Sequence, residues 1–278
     1  MKVLVTTDFS ANSKTGIRFA ISLAKLRKTE LIFFHSYFLP KPTLWSEATY
    51  LHYAKNEKQK LFSRLNKFVA EVYKSMKVPS AKFKCVMEQS ITPESGIMDY
   101  AETHAIDFIC ISTRGAGRLK KFFGTTAGNL ITMSQVPVVT IPKNYKTKYI
   151  THILYASDLK NYEQELKTVI EFAKPFKASI EVYHFCYPGE PFLDKNLLEV
   201  HLKKQFKQNI TLHLENSDIT QAFAANLQKA IASAKPSVVI MFTEQRRTFF
   251  QKLFLSSASE SIAFEAKVPM LVFNKTVN

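Results

Sequence analysis

The chain of 278 residues contains no apolar run near the ~18 residues that a membrane-spanning helix requires. Its start, MKVLVTTDFS, offers one lysine and only three consecutive apolar residues before the polar turn. That is too short for the core of a secretory signal, and no small-residue cleavage site follows. Cysteine is scarce: Cys85, Cys110 and Cys186 are odd in number, far apart, and show neither a CxxC pair nor the spacing of a zinc finger. Each lies in a strand-like apolar run, so buried free thiols and a reducing cytoplasm are expected.

The signatures of common catalysts are also missing. No two histidines stand at i, i+4, there is no HExxH, and there is no GxSxG elbow. A GxxxxGK[ST] loop does not follow the first strand-like run, and Gly115-x-Gly117 is followed by Lys120 where a dinucleotide fingerprint needs a third glycine. No general base is identifiable, so an enzyme is not expected, and slow nucleotide hydrolysis stays only as a third reading. His35 and His184 close matching strand-like runs, Phe33-Phe34-His35 and Val182-Tyr183-His184, which suggests a shared structural role.

What is present is ordinary globular material, 46% hydrophobic and 22% charged, long enough for two domains. The formal net charge is +15. Up to Lys148 there are 23 Lys and Arg against 10 Asp and Glu; after it there are 15 against 13. The basic excess therefore belongs to the first half. It can serve a solvated lysine-rich face, for which Lys55, Lys58, Lys60, Arg64 and Lys67 form the natural stripe, or it can attract an anionic partner. Nucleic acid is not the expected partner.

The chain repeats itself. Val3-Leu4-Val5-Thr6-Thr7-Asp8 near the start matches Ile153-Leu154-Tyr155-Ala156-Ser157-Asp158, and Val136-Pro137-Val138-Val139 matches Val268-Pro269-Met270-Leu271. A repeat of this length means duplicated domains, here 1–146 and 147–278, with the second copy 18 residues shorter between these landmarks. Within the first copy, short apolar runs near 2–6, 30–35, 81–87, 107–112 and 136–141 alternate with helical patterns. Ile17, Ala20, Ile21 and Ala24 mark the buried face of the first helix, and Thr92-Pro93 opens a later one. The second copy runs the same way, with strands near 152–156, 179–185, 210–214, 237–242 and 268–273. Strands with little polar alternation, separated by helices, predict an α/β fold of two tandem doubly wound domains, each a five-stranded parallel sheet flanked by helices. Ligands of such sheets bind beyond the carboxyl ends of the strands, where strand order reverses.

The most informative segment follows the fourth strand: Ser112-Thr113-Arg114-Gly115-Ala116-Gly117-Arg118-Leu119-Lys120-Lys121-Phe122-Phe123-Gly124-Thr125-Thr126. Glycines let a backbone approach a ligand closely. Gly124-Thr125-Thr126 opens a helix, whose free N–H groups and partial positive charge suit phosphate. Arg114, Arg118, Lys120 and Lys121 add charge. On chemistry alone this is either an anion-binding loop or a turn that only joins strand to helix.

These residues resemble the universal stress protein family, in which a first strand ends in Asp, a loop G-x2-G-x9-G-[ST] follows the fourth strand, and a Val-Pro strand closes the domain. Here Asp8, Ser112-x2-Gly115-x8-Gly124-Thr125 and Val136-Pro137 occupy those places, with Ser112 for the first glycine and a spacer one residue shorter. The resemblance covers nearly the whole chain, twice. It implies an adenine nucleotide alpha hydrolase-like fold and, in its ATP-binding members, a set of roles. Thr6, Thr7 and Asp8 would lie beside the adenosine, and Ser36 would offer backbone to the adenine. Ser112, Arg114, Gly115, Gly117, Gly124, Thr125 and Thr126 would hold ribose and phosphates. The cofactor so implied is ATP or another adenine nucleotide; a metal is left open, and Mg²⁺ with a bound triphosphate, with Asp8 as one outer-shell contact, and no cofactor at all are both compatible with the residues. The resemblance also implies pairing through the Val-Pro strands, of the two halves as a pseudo-dimer and of chains as a homodimer. An Asp at a strand end can equally cap the next turn.

In the second half the matching stretch, 241–257, contains no glycine. Gln245 stands for Gly115 and Leu255 for Gly124, and Glu244 adds negative charge. No nucleotide is expected there. The phenylalanine-rich stretch 248–255 is expected in a core or domain interface. The leading reading is a nucleotide-responsive stress regulator with one working site; the alternative is a non-nucleotide interaction or dimerisation scaffold with a basic first domain.

Overall fold

The computed structural model describes residues 1–26, 28–79, 83–113, 125–217, 223–243 and 267–275. They group into two compact units, one ending at Thr147 and the other beginning at Lys148. In the first unit β1 (Lys2–Thr6) leads to α1 (Ser13–Leu26), β2 (Glu30–Tyr37), α2 (Glu47–Ser75) and β3 (Lys84–Gln89). Then come α3 (Pro93–Thr103), β4 (Phe108–Ser112), α4 (Thr125–Met133) and β5 (Val138–Ile141). All its strand pairings are parallel and the order is β3-β2-β1-β4-β5. Val3 stands between Leu31 on one side and Phe108 on the other.

The second unit repeats the plan. It comprises β6 (His152–Ala156), α5 (Tyr162–Ala173), β7 (Ser179–Cys186), α6 (Lys195–Phe206), β8 (Ile210–Asn216), α7 (Phe223–Ala234), β9 (Val238–Thr243) and β10 (Met270–Asn274). A 3₁₀ turn at Lys174–Phe176 extends α5. The strands are again parallel, in the order β8-β7-β6-β9-β10. The registers match residue for residue: Ile153 lies between Ile180 and Val238 as Val3 lies between Leu31 and Phe108. The doubly wound parallel fold expected from the sequence is thus present in both halves.

The sequence explains these elements. The central strands are apolar on both faces because helices cover both, and Val3, Leu4, Val5, Ile153, Leu154 and Tyr155 are all buried. On α1, Ile17, Ala20 and Ile21 are buried as the spacing requires, while Ala24 is only half-buried. Thr92 caps α3 by accepting from the Ser95 N–H, with Pro93 in the first turn. Ser46 caps α2 and Asp194 caps α6, the latter accepting from the Asn196 and Leu197 N–H groups at 2.9 and 3.1 Å. Most of the second copy's shortfall is in this helix, 12 residues in α6 against 29 in α2. Of the cysteines, Cys110 is buried as expected, whereas Cys85 and Cys186 are half-buried. The strand-like context fixed their element but not their exposure, since β3 lies at an end of its unit's strand order and Cys186 is the last residue of β7. Among the described residues no helix is long and apolar enough to cross a membrane.

The buried face of α2 lies in its C-terminal half, at Leu65, Phe68, Val69, Val72 and Tyr73; Leu51, a turn from its start, is exposed. The two ends should therefore respond differently to truncation. Leu65→Ala is expected to cost about 2–5 kcal/mol in urea unfolding, and Leu51→Ala to stay within about 0.5 kcal/mol of the parent.

Candidate functional site

Strand order reverses between β1 and β4, and between β6 and β9, so each unit has a crevice beyond the carboxyl ends of those strands. In the first unit β1 delivers Thr6, Thr7 and Asp8 to it, and β4 delivers Ser112. Thr6 is buried, with its hydroxyl 3.4 Å from the Cys110 carbonyl. The Thr7 hydroxyl lies 2.7 Å from that of Ser13, at the start of α1, and accepts from the Phe9 N–H at 3.1 Å. Asp8 is exposed, and its carboxylate accepts from the Ser10 N–H at 3.0 Å. This is the turn-capping role open to an Asp at a strand end. Between these bonds Phe9 sits at φ 60°, a conformation that bulky side chains avoid.

Ser112 is buried and its hydroxyl is committed to the protein. It donates to the Asn12 carbonyl at 2.9 Å and accepts from the Gly16 N–H at 3.3 Å. The side chain thus sits between the two partners of one i→i−4 bond and ties the end of β4 to the first turn of α1. A Cβ on Gly16 would approach the Ser112 Oγ to 3.1 Å, which explains the glycine at that position. Ser36 is half-buried, with its hydroxyl turned toward the first turn of α3, 3.2 Å from where a Gly96 Cβ would stand. Thr125 and Thr126 begin α4, Thr125 exposed and Thr126 half-buried. Asn129 fixes this helix to α3 through the Glu94 carboxylate at 2.6 Å. Arg114, Gly115, Gly117 and Gly124, with Arg118, Lys120 and Lys121, lie outside the described residues, as does the matching 244–257 stretch with its phenylalanines.

Beside this crevice stands His35. Its Nδ1 donates to the Thr7 carbonyl at 2.8 Å and its ring lies 4.2 Å from that of Phe9. Burial lowers its pKa from the ordinary 6.5, outweighing the carbonyl bond that raises it, and Arg64 lowers it further. The ring is therefore neutral near pH 7. Arg64 covers the other aromatic, its guanidinium 4.3 Å from the Phe9 ring centre, so one cation of the exposed α2 stripe reaches the edge of the crevice.

The second unit keeps the turn and changes the rest. Asp158 accepts from the Lys160 N–H at 3.2 Å, Ser157 from the Leu159 N–H at 3.0 Å, and Leu159 repeats the positive φ at 57°. His184 repeats His35, its Nδ1 3.0 Å from the Ser157 carbonyl, which is the shared role expected for the pair. The register places Phe185 where the first unit has Ser36, and Phe242 where it has Ser112. Phe185 meets Phe223 edge-on at 5.5 Å, and Phe242 stacks on Phe273 at 5.0 Å and meets Tyr155 at 5.8 Å.

Charged groups gather at the same strand ends. The Tyr155 hydroxyl donates to the buried Glu165 carboxylate and accepts from the Ser157 hydroxyl at 2.9 Å. Lys275, nearly buried, bonds to Asp158 and lies 3.5 Å from Glu165. Burial raises the Glu165 pKa above 4.5, outweighing the Tyr155 and Lys275 contacts that lower it. For Asp158 burial also pushes upward, but the Lys275 bond and the Lys160 N–H together carry its pKa below 3.8. Sequence reading missed this cluster because Tyr155 and Glu165 looked like ordinary strand and helix residues, and Lys275 lies over a hundred positions away. The available signal was an apolar position, Val5 in the first copy, replaced by a tyrosine in the second.

Comparison with known proteins follows the same lines. The universal stress protein family model matches residues 1–142. A universal stress protein from Archaeoglobus fulgidus is 19% identical over 99% of this chain and 96% of its own, with a TM-score of 0.71. A putative universal stress protein from Pseudomonas aeruginosa is 12% identical over 98% of this chain and 92% of its own, with a TM-score of 0.57. A universal stress protein solved in complex with cAMP matches 52% of this chain and 98% of its own at 18% identity, with a TM-score of 0.38. Among curated proteins nothing matches.

The Glu165 cluster generates a pH dependence. Because the folded pKa of Glu165 is raised, its contribution to stability is full below about pH 4.5 and is lost as pH rises through the raised value. Glu165→Gln removes that loss. Its stability relative to the parent, measured by urea unfolding at a series of pH values, should climb from pH 4.5 upward; a flat difference would contradict the assignment.

Proposed function

The chain belongs to the universal stress protein family, and from that premise we propose that its first unit binds an adenine nucleotide, ATP in the first instance, while its second unit is a pseudo-site. One contrast carries this reading. At matching positions around the strand-order reversal the first unit has the small Ser36 and Ser112, and the second has Phe185 and Phe242. The first crevice is bordered by hydroxyls and by the exposed carboxylate of Asp8. At the second stand aromatic rings and the Tyr155–Glu165–Lys275–Asp158 contacts. A nucleotide needs room for a base, and the two small serines take up less of it at these positions than the two phenylalanines.

In this reading Thr6, Thr7 and Asp8 border the adenosine and the Ser36 backbone faces the base. The glycines of 115–124 and the α4 start at Thr125 and Thr126 take the phosphates. Arg114 adds charge, and Asp8 is in place for an outer-shell contact to Mg²⁺. The role is regulatory, a stress-responsive binding protein and not a catalyst. Pairing through the Val-Pro strands, within the chain and between chains, belongs to the same reading.

A second reading is favoured by one observation, the Ser112 hydroxyl, whose two bonds to α1 occupy a group the nucleotide would otherwise use. On that reading the protein is an interaction scaffold with a basic first half.

Calorimetric titration of the whole chain with ATP separates them. Binding should be saturable, and nucleotide at 100 times its Kd should add about 2.7 kcal/mol of stability. Asp8→Asn and Thr125→Val should each weaken binding roughly 10-fold, and Asp158→Asn should leave it unchanged. No heat and no stabilisation with any adenine nucleotide would favour the scaffold.

A further inference from the structure

We propose that His184, Cys186 and Glu190 form a divalent-metal site of the zinc type at the carboxyl end of β7, independent of any nucleotide in the first unit. A ring nitrogen of His184, the Sγ of Cys186 and a carboxylate oxygen of Glu190 all lie within 4.8 Å of one another, and the nitrogen that meets Glu190 is Nε2. Tetrahedral zinc needs its nitrogen, sulfur and oxygen ligands at about 2.0–2.3 Å, which sets their mutual separations at roughly 3.2–3.8 Å. Small side-chain rotations reach that from the observed spacing.

The hydrogen bonding calls for a cation. A carbonyl only accepts, so the Nδ1 of His184, 3.0 Å from the Ser157 carbonyl, carries a proton. The other nitrogen then points its lone pair at the Glu190 carboxylate, 3.0 Å away. Two acceptors facing each other at that distance need a positive charge between them. A proton on Nε2 would supply it, and so would a metal ion. The thiol favours the metal, since a proton shared by His184 and Glu190 has no use for a third ligand. An imidazole held by a carbonyl at Nδ1 and free at Nε2 is also the arrangement that orients histidine ligands in metal sites.

The local chain builds the site. His184 and Cys186 are two apart on β7 and so share a face. After the strand, Gly189 takes a φ of 92°, closed to other residues at low cost, and the Glu190 N–H returns to the Tyr187 carbonyl at 3.1 Å. That turn folds Glu190 back over His184. His184 is buried while Cys186 is half-buried and Glu190 exposed, so an ion has a way in. The fold alone does not produce the trio: in the first unit His35 keeps the carbonyl bond, but Tyr37 stands at the register position of Cys186 and the Phe9 ring covers the histidine. A nitrogen, a sulfur and an oxygen select zinc or cobalt over Mg²⁺ or Ca²⁺, with water completing the tetrahedron. Cys186 binds as the thiolate, its proton passing to solvent.

The test uses the full chain, stripped with a chelator and titrated without nucleotide with Zn²⁺ and, separately, Co²⁺. One equivalent of each should bind, and Co²⁺ should give a near-ultraviolet thiolate-to-cobalt band. Cys186→Ser should abolish the band. Glu190→Gln, at an exposed position, should fold normally and lower Zn²⁺ affinity at least 10-fold. Cys85→Ser, in the first unit, should change nothing. Absence of saturable binding, or equal Zn²⁺ affinity in the parent, Cys186→Ser and Glu190→Gln, would overturn the proposal and leave His184 and Glu190 as a proton-bridged pair.

Discussion

Parallel strands must be joined by right-handed crossovers, and this constraint underlies everything else in the molecule. Winding outward from β1 in both directions forces the connections onto opposite faces of the sheet. It also leaves a crevice where the winding reverses, between β1 and β4 and again between β6 and β9. The side chains at those four strand ends decide what each crevice can do. In both units the first of them ends in the same way: an Asp caps a turn through a bulky residue at positive φ, and a histidine from the neighbouring strand bonds to the carbonyl of the residue before that Asp, Thr7 or Ser157.

Duplication makes the chain its own control. Features kept in both copies, such as the Asp-capped turn and the paired histidines, serve the fold. Features that differ set the two strand-end regions apart. Serines give way to phenylalanines, Val5 to Tyr155, and the aspartate of the second copy is engaged by Lys275. The buried Tyr155–Glu165 pair has high stakes in a low-dielectric interior, because each member is tolerable only while its partners remain, and Lys275 links that pair to the exposed Asp158. The small His184 group at the carboxyl end of β7 has no counterpart in the first unit, where Tyr37 stands at the register position of Cys186.

Much of this was legible in the sequence. The alternation of apolar strands and amphipathic helices, the repeated Asp and the Val-Pro strands identify two doubly wound units, because burial on both faces leaves a strong signature in residue type. The first turn of α3 was readable from Thr92-Pro93. Element ends were less so: β2 runs on to Tyr37, and β3 begins only at Lys84, because the ladder with its neighbour and not local propensity sets where a strand stops. The chemistry of the sites was least visible. The commitment of Ser112 to α1 depends on two residues about a hundred positions away, and the Lys275 contacts on partners still more distant. The trio around His184 is close in sequence, but its spacing matches no familiar metal motif and needs the turn at Gly189 to be seen.

The most direct test of one working site and one closed one is stoichiometry. The freshly purified protein is denatured under mild conditions and the released small molecules are identified and counted by mass spectrometry, before and after incubation with excess ATP. The account predicts one adenine nucleotide per chain. Two per chain would contradict the closed second crevice, and none, even after incubation, would contradict binding by the first.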